Sequence, residues 1–190
     1  MNENQGKKQG PRDVLEALPV HRGSAADVAT RVLHIDGLVS QAKDLTVSDL
    51  DGLPQQELTE DFNCVEGWTV PTLQWRGVAL ETVLNLLGAT PEAEWVQASA
   101  GEFGVPIRLQ DARRVLLATR LAGDPLPVEH GGPVRLILSG GDCWTSIKWL
   151  DHLELRAQPG ENTGRTIALG RIFHPSKPKP GLLGTPSKNK

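Results

Sequence analysis

The stretch that most constrains the fold is "GGPVRLILSGG" at residues 131–141, an apolar run with glycines at both ends. Apolar residues that do not alternate with polar ones over this length are typical of a strand buried on both faces. We therefore predict an internal strand here, covered by packed side chains above and below.

The remaining segments predict further short strands and a few short helices. Strands are predicted at residues 31–39, 94–100 and 105–109, in the segment that leads to the turn at 123–125, and in the second half of 145–157. A helix is predicted where apolar residues recur at helical spacing before a glycine, namely Leu80, Val83, Leu84, Leu87 and Gly88. Thr46 or Ser48 is the expected N-cap of another short helix. The predicted fold class is α+β, a mixed β-sheet domain with short helices.

Charge is distributed unevenly along the 190 residues. Residues 13–156 carry a net charge of −10, whereas residues 1–12 carry +2 and residues 157–190 carry +5. A nucleic-acid-binding protein places its basic surface on the folded domain. We therefore expect no nucleic-acid partner. No stretch reaches the roughly 20 apolar residues that a membrane span requires, so no membrane span is expected.

The composition predicts one domain with an extension at each end. Residues 1–30 are predicted to be a partly ordered extension, residues 31–156 the domain, and residues 157–190 a basic tail that is disordered at least in part. The positive charge of the tail favours attachment of the domain to an acidic partner or an anionic surface, although solubility explains this charge equally well. No signal peptide is readable and only two cysteines occur, so a cytoplasmic location is expected.

Cys64 lies in a short polar loop within "DFNCVEGWTV", residues 61–70. A structural cysteine more often lies inside an apolar run. A loop position favours an accessible sulfur, and a thiolate is both a soft metal ligand and a nucleophile. The alternative of an incidental, packed thiol stays open on this pattern alone.

Two glycine-containing segments favour an anion-binding site. "HGGPVR" at 130–135 and "SGGDCWTSIK" at 139–148 combine glycines and hydroxyls with Arg135 and Lys148. Glycines allow backbone N–H groups to approach an anion, and the two cations supply charge. Neither segment matches a P-loop or a dinucleotide-binding pattern. The alternative that the glycines shape a hairpin and that Arg135 and Lys148 are exposed strand residues is equally consistent with this spacing.

The histidines outside these segments are spread along the chain without the spacing of zinc ligands. They are His21, His34, His152 and His174. We therefore predict no structural zinc site. Trp68, Trp75 and Trp149 are predicted to fill the core.

Seven segments in order make the chain resemble the molybdopterin-binding domain of the sulfite oxidase family. They are "LHIDGLV", "LTVSDLDGLP", "CVEGW", "WRGVALETVLNLLG", "VPIRLQDA", "LLATRLAGDPLPVEHGGPVRLIL" and "SIKWLDHLEL". Together they cover residues 31–156, and their order and spacing are those of the family. The resemblance implies the sulfite-oxidase molybdopterin-binding fold.

The same resemblance implies a molybdenum-molybdopterin cofactor and the residues that hold it. Cys64 matches the family's molybdenum ligand and is the predicted catalytic residue. The implied cofactor-binding residues are Ser99, His130, Arg135, Ser146, Ile147 and Lys148, of which Ser146 to Lys148 match the stretch that holds the phosphate end.

The implied activity is oxygen-atom transfer, of the sulfite oxidase or sulfoxide reductase type, on a small-molecule substrate. Because the sequence has no haem or iron–sulfur ligand set, the resemblance implies a separate electron-transfer protein. The alternative from another class is a cofactor-free binding or scaffold module that kept the fold. A further alternative is thiol redox chemistry between Cys64 and Cys143.

Overall fold

The structure is a computed structural model that describes residues 31–173. Two five-stranded sheets form the framework. The first has the order β2-β1-β10-β5-β6. Its strands are β1 (Leu33–Gly37), β2 (Lys43–Leu45), β5 (Trp95–Ala100), β6 (Phe103–Arg108) and β10 (His152–Arg156). Strands β1 and β10 pair in parallel, and the other pairs are antiparallel.

The second sheet is antiparallel and has the order β3-β4-β7-β8, with β9 paired to β7. Its strands are β3 (Gln55–Asn63), β4 (Thr69–Ala79), β7 (Val115–Leu121), β8 (Asp124–Pro125) and β9 (Arg135–Leu138). Strands β3 and β4 form the longest hairpin, and its closing loop contains Cys64.

Within residues 31–173, three α-helices and three 3-10 turns connect and flank the sheets. The helices are α1 (Val47–Asp51), α2 (Leu80–Leu87) and α3 (Thr163–Phe173), and the 3-10 turns span Leu109–Arg114, Val128–His130 and Cys143–Thr145. Thr46 caps α1, because its hydroxyl accepts from the backbone N–H of Asp49. Helix α2 ends at Gly88, whose φ of 67° is left-handed. Both helix predictions are confirmed.

Strand β9 separates two hydrophobic clusters and is buried on both faces, as predicted. Leu136 belongs to the larger cluster between the sheets, and Ile137 packs into the smaller cluster beside Trp75. The alternation in β1 and β10 is also as predicted: Ile35 and Leu153 are buried while His34 and His152 lie on the opposite face. The mixed-sheet α+β fold is therefore confirmed.

Helix α3 lies within the stretch that the sequence predicted as a tail, and its formation was not predicted. The hydroxyl of Thr163 accepts from the N–H of Gly104 at 2.7 Å and donates to the carbonyl of Glu102 at 2.7 Å. A Cβ on Gly164 would lie 2.7 Å from the Phe103 ring, so glycine permits close docking on β6. Residues 1–30 and 174–190, the other parts of the predicted extensions, lie outside the described residues.

Candidate active site

A cavity of about 250 Å³ opens between the β3–β4 loop, the start of β9 and the segment that precedes β10. Its lining includes Cys64, Cys143, Arg135, Ser146 and Lys148. Helix α3 contributes Ile167 and Ala168 to one wall. Two distant parts of the sequence, the cysteine loop and the glycine-containing segments, therefore meet at one site.

A tight turn holds Cys64 at the cavity. The N–H of Cys64 donates to the carbonyl of Trp68 at 2.9 Å, and the N–H of Gly67 donates to the carbonyl of Cys64 at 2.9 Å. Gly67 has a φ of 88°, a conformation that favours glycine. The turn thus fixes the backbone on both sides of the thiol.

The second cysteine lies against the first. The sulfurs of Cys64 and Cys143 are 3.9 Å apart, and the N–H of Val65 donates to the Cys143 sulfur at 3.4 Å. Burial, with a contribution from Cys143, raises the pKa of the Cys64 thiol. A bound metal ion has the opposite effect, because its charge deprotonates a coordinating thiol. The two thiols touch but are not bonded, since a disulfide requires about 2.05 Å.

Arg135 is the most deeply buried charge in the site, with 2% of its surface exposed. Its Nε donates to the Ser146 hydroxyl at 3.1 Å and its Nη1 donates to the His130 carbonyl at 3.0 Å. The guanidinium also lies over the rings of Phe62 and Trp75, at 5.2 and 5.0 Å. Burial lowers the pKa of Arg135 to about 10, so the side chain is still a cation at neutral pH.

His130 lies behind Arg135 and is not among the residues that line the cavity. It is 6% exposed, and its Nδ1 has no hydrogen-bond partner among the described residues. Burial, assisted by the charges of Lys148 and Arg135 and opposed by Glu129, lowers the pKa of His130. A buried polar atom without a partner is costly, so Nδ1 is a place where a ligand gains a hydrogen bond.

Lys148 packs against Gly131 of the first glycine-containing segment. A Cβ on Gly131 would lie 2.7 Å from the Lys148 side chain, and Gly131 has a φ of 102°. The Lys148 ammonium donates to the Glu129 carbonyl at 3.4 Å. Burial, with the charge of Arg135 as a smaller cause, lowers the pKa of Lys148 to about 8. The alternative that Arg135 and Lys148 are merely exposed strand residues does not fit this burial.

Two other predicted residues occupy different places. Ile147 is 1% exposed in the core, and its carbonyl accepts from the N–H of Leu136 at 2.9 Å, so it anchors the segment through the backbone. Ser99 lies in β5 opposite His152 and Gly104 and is not among the residues that line the cavity. The structure thus gathers Cys64, Arg135, Ser146 and Lys148 around one space and does not bring Ser99 to it.

The aromatic residues and α3 complete the site in ways that the sequence did not predict. Trp75 lies in the core as expected, whereas Trp149 lines the cavity, and Trp68 both lines the cavity and packs on the smaller cluster. Phe62 and the α3 residue Ile167 are also cavity-lining residues that sequence reasoning missed. The even spacing of Leu58 and Phe62 is the local sequence signal that could have placed both on one face of β3, where they pack on the smaller cluster.

The family model for the oxidoreductase molybdopterin binding domain matches residues 18–164. The chain is 31% identical to the uncharacterized oxidoreductase YuiH of Bacillus subtilis strain 168, over 80% of this chain and 81% of that protein. It is 25% identical to the sulfite oxidase of Arabidopsis thaliana, over 67% of this chain and 42% of the relative.

Among solved structures, the sulfane dehydrogenase SoxCD of Paracoccus pantotrophus matches with a TM-score of 0.66 at 24% identity. The match covers 74% of this chain and 41% of that one, and it shows a shared fold.

The chain belongs to the oxidoreductase molybdopterin binding domain family. It is a molybdopterin oxidoreductase domain whose cofactor is molybdenum-molybdopterin. The described residues fit such a group: the soft thiol of Cys64 and the buried cation of Arg135 line one cavity, and the His130 carbonyl accepts a hydrogen bond from that cation. No helix within residues 31–173 is long and apolar enough to cross a membrane.

Proposed function

We propose that this domain catalyses oxygen-atom transfer to or from a small-molecule substrate, of the sulfite oxidase or sulfoxide reductase type, with Cys64 as the molybdenum ligand. The observation that carries the proposal is the thiol of Cys64 at the wall of a cavity that also contains Arg135 and Lys148. When bound, the cofactor supplies the two-electron redox chemistry.

The protein's own residues would bind and orient the cofactor. Arg135 and Lys148 would hold its phosphate end through charge-assisted hydrogen bonds, with the hydroxyl of Ser146 and the Ile147 backbone shaping the same wall. His130 would support this wall from behind, because its carbonyl accepts a hydrogen bond from Arg135, and its buried Nδ1 is available for a further hydrogen bond. Ser99 stays a predicted contact, although its position in β5 gives it no place on the cavity wall.

The aromatic wall would exclude water and shape the substrate site. Trp68, Trp149 and Phe103 line the cavity together with Ile167 of α3. Exclusion of water strengthens every electrostatic contact that Arg135 and Lys148 make. We propose that electrons pass to or from a separate electron-transfer protein and that the domain acts in the cytoplasm. Cell fractionation and co-purification would test these two points.

The rival proposal is a binding or scaffold module that kept the fold without the cofactor. It predicts that the melting temperature of the protein is the same with and without the cofactor, because a ligand that binds only the native state must raise it. Thiol redox chemistry is a further rival, favoured by the 3.9 Å between the sulfurs of Cys64 and Cys143. Oxidation of cofactor-free protein with diamide, followed by mass measurement, would reveal such a disulfide.

The test is the molybdenum content of protein purified from a host that makes the cofactor. We expect near-stoichiometric molybdenum in the wild type, with oxidoreductase activity lost and the metal's absorption spectrum changed in Cys64→Ser. Cys143→Ser is the matched control, since it removes the neighbouring thiol without touching the proposed ligand, and its metal spectrum should keep the thiolate signature. A Cys64→Ser protein with wild-type spectrum and activity would exclude this ligand assignment.

A further inference from the structure

A cluster of two histidines and one aspartate lies on the outer face of the first sheet, on strands that do not contribute to the cavity lining. The parallel pairing of β1 with β10 places His34 opposite His152, and Asp36 lies two residues further along the same face of β1. His34 and Asp36 are neighbours on β1, but His152 lies 116 residues after Asp36, which is why the histidines showed no ligand spacing in the sequence. The fold brings their side chains together.

Both imidazoles form hydrogen bonds with the carboxylate of Asp36. Nε2 of His34 lies 3.1 Å from Oδ2 of Asp36, and Nε2 of His152 lies 2.9 Å from Oδ1 of the same residue. One donor atom from each of the three residues lies within 4.8 Å of the others. In a tetrahedral zinc site with bonds of about 2.0–2.2 Å, ligand atoms are about 3.3 Å apart, so small side-chain rotations are sufficient.

A fourth residue supports His34 from behind. Asp44, opposite His34 on β2, accepts from Nδ1 of His34 at 2.5 Å. A carboxylate on the far nitrogen of a histidine fixes the ring and leaves Nε2 for the metal, and this arrangement recurs in metal sites. The support therefore comes from a third strand of the same sheet.

Without a metal, protons hold the cluster together. An ionised Asp36 only accepts hydrogen bonds, so each Nε2 that contacts it carries a hydrogen. Burial opposes the ionisation of Asp36, but its contacts with His152 and His34 outweigh this effect and lower its pKa. The hydrogen bond from His34 to Asp44, with further help from Asp36, raises the pKa of His34. A metal ion would replace the Nε2 protons of both histidines. The Nδ1 proton would stay on His34 and would still be donated to Asp44.

We propose that His34, Asp36 and His152 form a binding site for a divalent transition-metal ion, Zn²⁺ in the first instance, with Asp44 as a positioning residue. Two imidazoles and one carboxylate suit Zn²⁺ and its neighbours better than Mg²⁺ or Ca²⁺, which prefer oxygen ligands alone. Water would fill the remaining coordination positions, since the side chains of His34 and His152 are 48% and 35% exposed. The ion would join β1 to β10 and does not depend on the molybdenum cofactor.

Zinc titration of the full, tag-free chain, monitored by NMR of ¹⁵N-labelled histidine rings, tests this site. The expected result is saturable binding of one Zn²⁺, with the Nε2 resonances of His34 and His152 shifted and protons released. His34→Gln and His152→Gln should each weaken binding at least tenfold. Asp44→Asn should weaken it about 10-fold to 100-fold, as second-sphere changes do.

Asp111→Asn serves as the matched control, because Asp111 is a surface carboxylate that pairs with Arg114 elsewhere. It should bind zinc like the wild type. Circular dichroism in zinc-free buffer checks that each variant is folded. Absence of uptake in large zinc excess would overturn the proposal, as would uptake that persists in the His34 and His152 variants or that leaves the Nε2 resonances of His34 and His152 unshifted.

Discussion

The cavity around Cys64 and the cluster around Asp36 are two polar sites that differ in whether their positive charges are paired with carboxylates. In the cavity, Arg135 is buried and makes no ion pair with a carboxylate among the described residues. In the cluster, His34 and His152 are partly exposed and share carboxylates at hydrogen-bond distance. The cavity therefore retains positive charge that an anionic ligand can neutralise, whereas the cluster is already neutralised and can exchange protons for a cation.

The largest expected effect comes from removing the buried charge. Arg135→Met should lower the molybdenum content of purified protein more than tenfold, because the phosphate end of the cofactor loses its charge-assisted hydrogen bonds. It also leaves the Ser146 hydroxyl and the His130 carbonyl without a donor, at about 1–3 kcal/mol for a buried unsatisfied group. Metal analysis and thermal melts measure the two effects.

Arg120→Met is the control for that experiment, because Arg120 forms a partly exposed ion pair with Asp51 away from the cavity. Its molybdenum content should match that of the wild type. If Arg135→Met keeps the wild-type molybdenum content, Arg135 does not hold the cofactor. The proposed role of the positive charge in the cavity, which distinguishes it from the cluster around Asp36, is then contradicted.

A smaller effect is expected from Lys148 in cofactor-free protein. The pKa of Lys148 is lowered to about 8 in the folded state, against an ordinary value near 10.4 in the unfolded chain. Between these values the unfolded chain binds a proton that the folded protein has released, so the free energy of unfolding rises with pH. Lys148→Gln should lose this rise when urea denaturation of the two proteins is compared from pH 7.5 upward.

The smallest effect is expected from His34, whose contribution to the free energy of unfolding falls with pH, whereas that of Lys148 rises. The pKa of His34 is raised in the folded state by the hydrogen bond to Asp44, so its contribution to stability is complete below about pH 6.5 and is lost as pH rises through the folded-state pKa. The stability difference between wild type and His34→Gln should therefore shrink as pH rises, in buffer containing a chelator. A difference that grows with pH would contradict the sign argued for the cluster.

Local sequence patterns predicted the elements whose signals are local, but they did not predict the β3–β4 hairpin that carries Cys64. The spacing of apolar residues from Leu80 to Gly88 indicates a helix, and packing on the surrounding core favours the same helix. The apolar run before Gly140 indicates a strand that is covered on both faces. Helix α3 was missed because Gly164 and Gly170 lower its helix propensity. Its position depends on contacts with β6, and β6 is too far from α3 in the sequence for a local pattern to include both.

The candidate site was predictable to the extent that its residues lie in short motifs. Arg135, Ser146 and Lys148 lie in two neighbouring segments, and the family resemblance added Cys64. Ser99 was placed by resemblance alone, and the alternation of β5 turns it away from the core, since its neighbour Ala98 is fully buried. The pairing of His34 with His152 depends on strand order in the sheet, which local patterns do not encode.

The parallel pairing of β1 and β10 also determines how this domain can be connected to others. The chain enters the first sheet on β1 and leaves it on the adjacent β10, after the second sheet has been completed between them. The start of β1 and the end of β10 are therefore separated by about the length of one five-residue strand, roughly 16 Å at 3.3 Å per residue. Residues that precede β1 therefore join the sheet beside β10, and α3, which follows β10, docks on β6, so a connection at either side leaves the pairing of β1 with β10 intact.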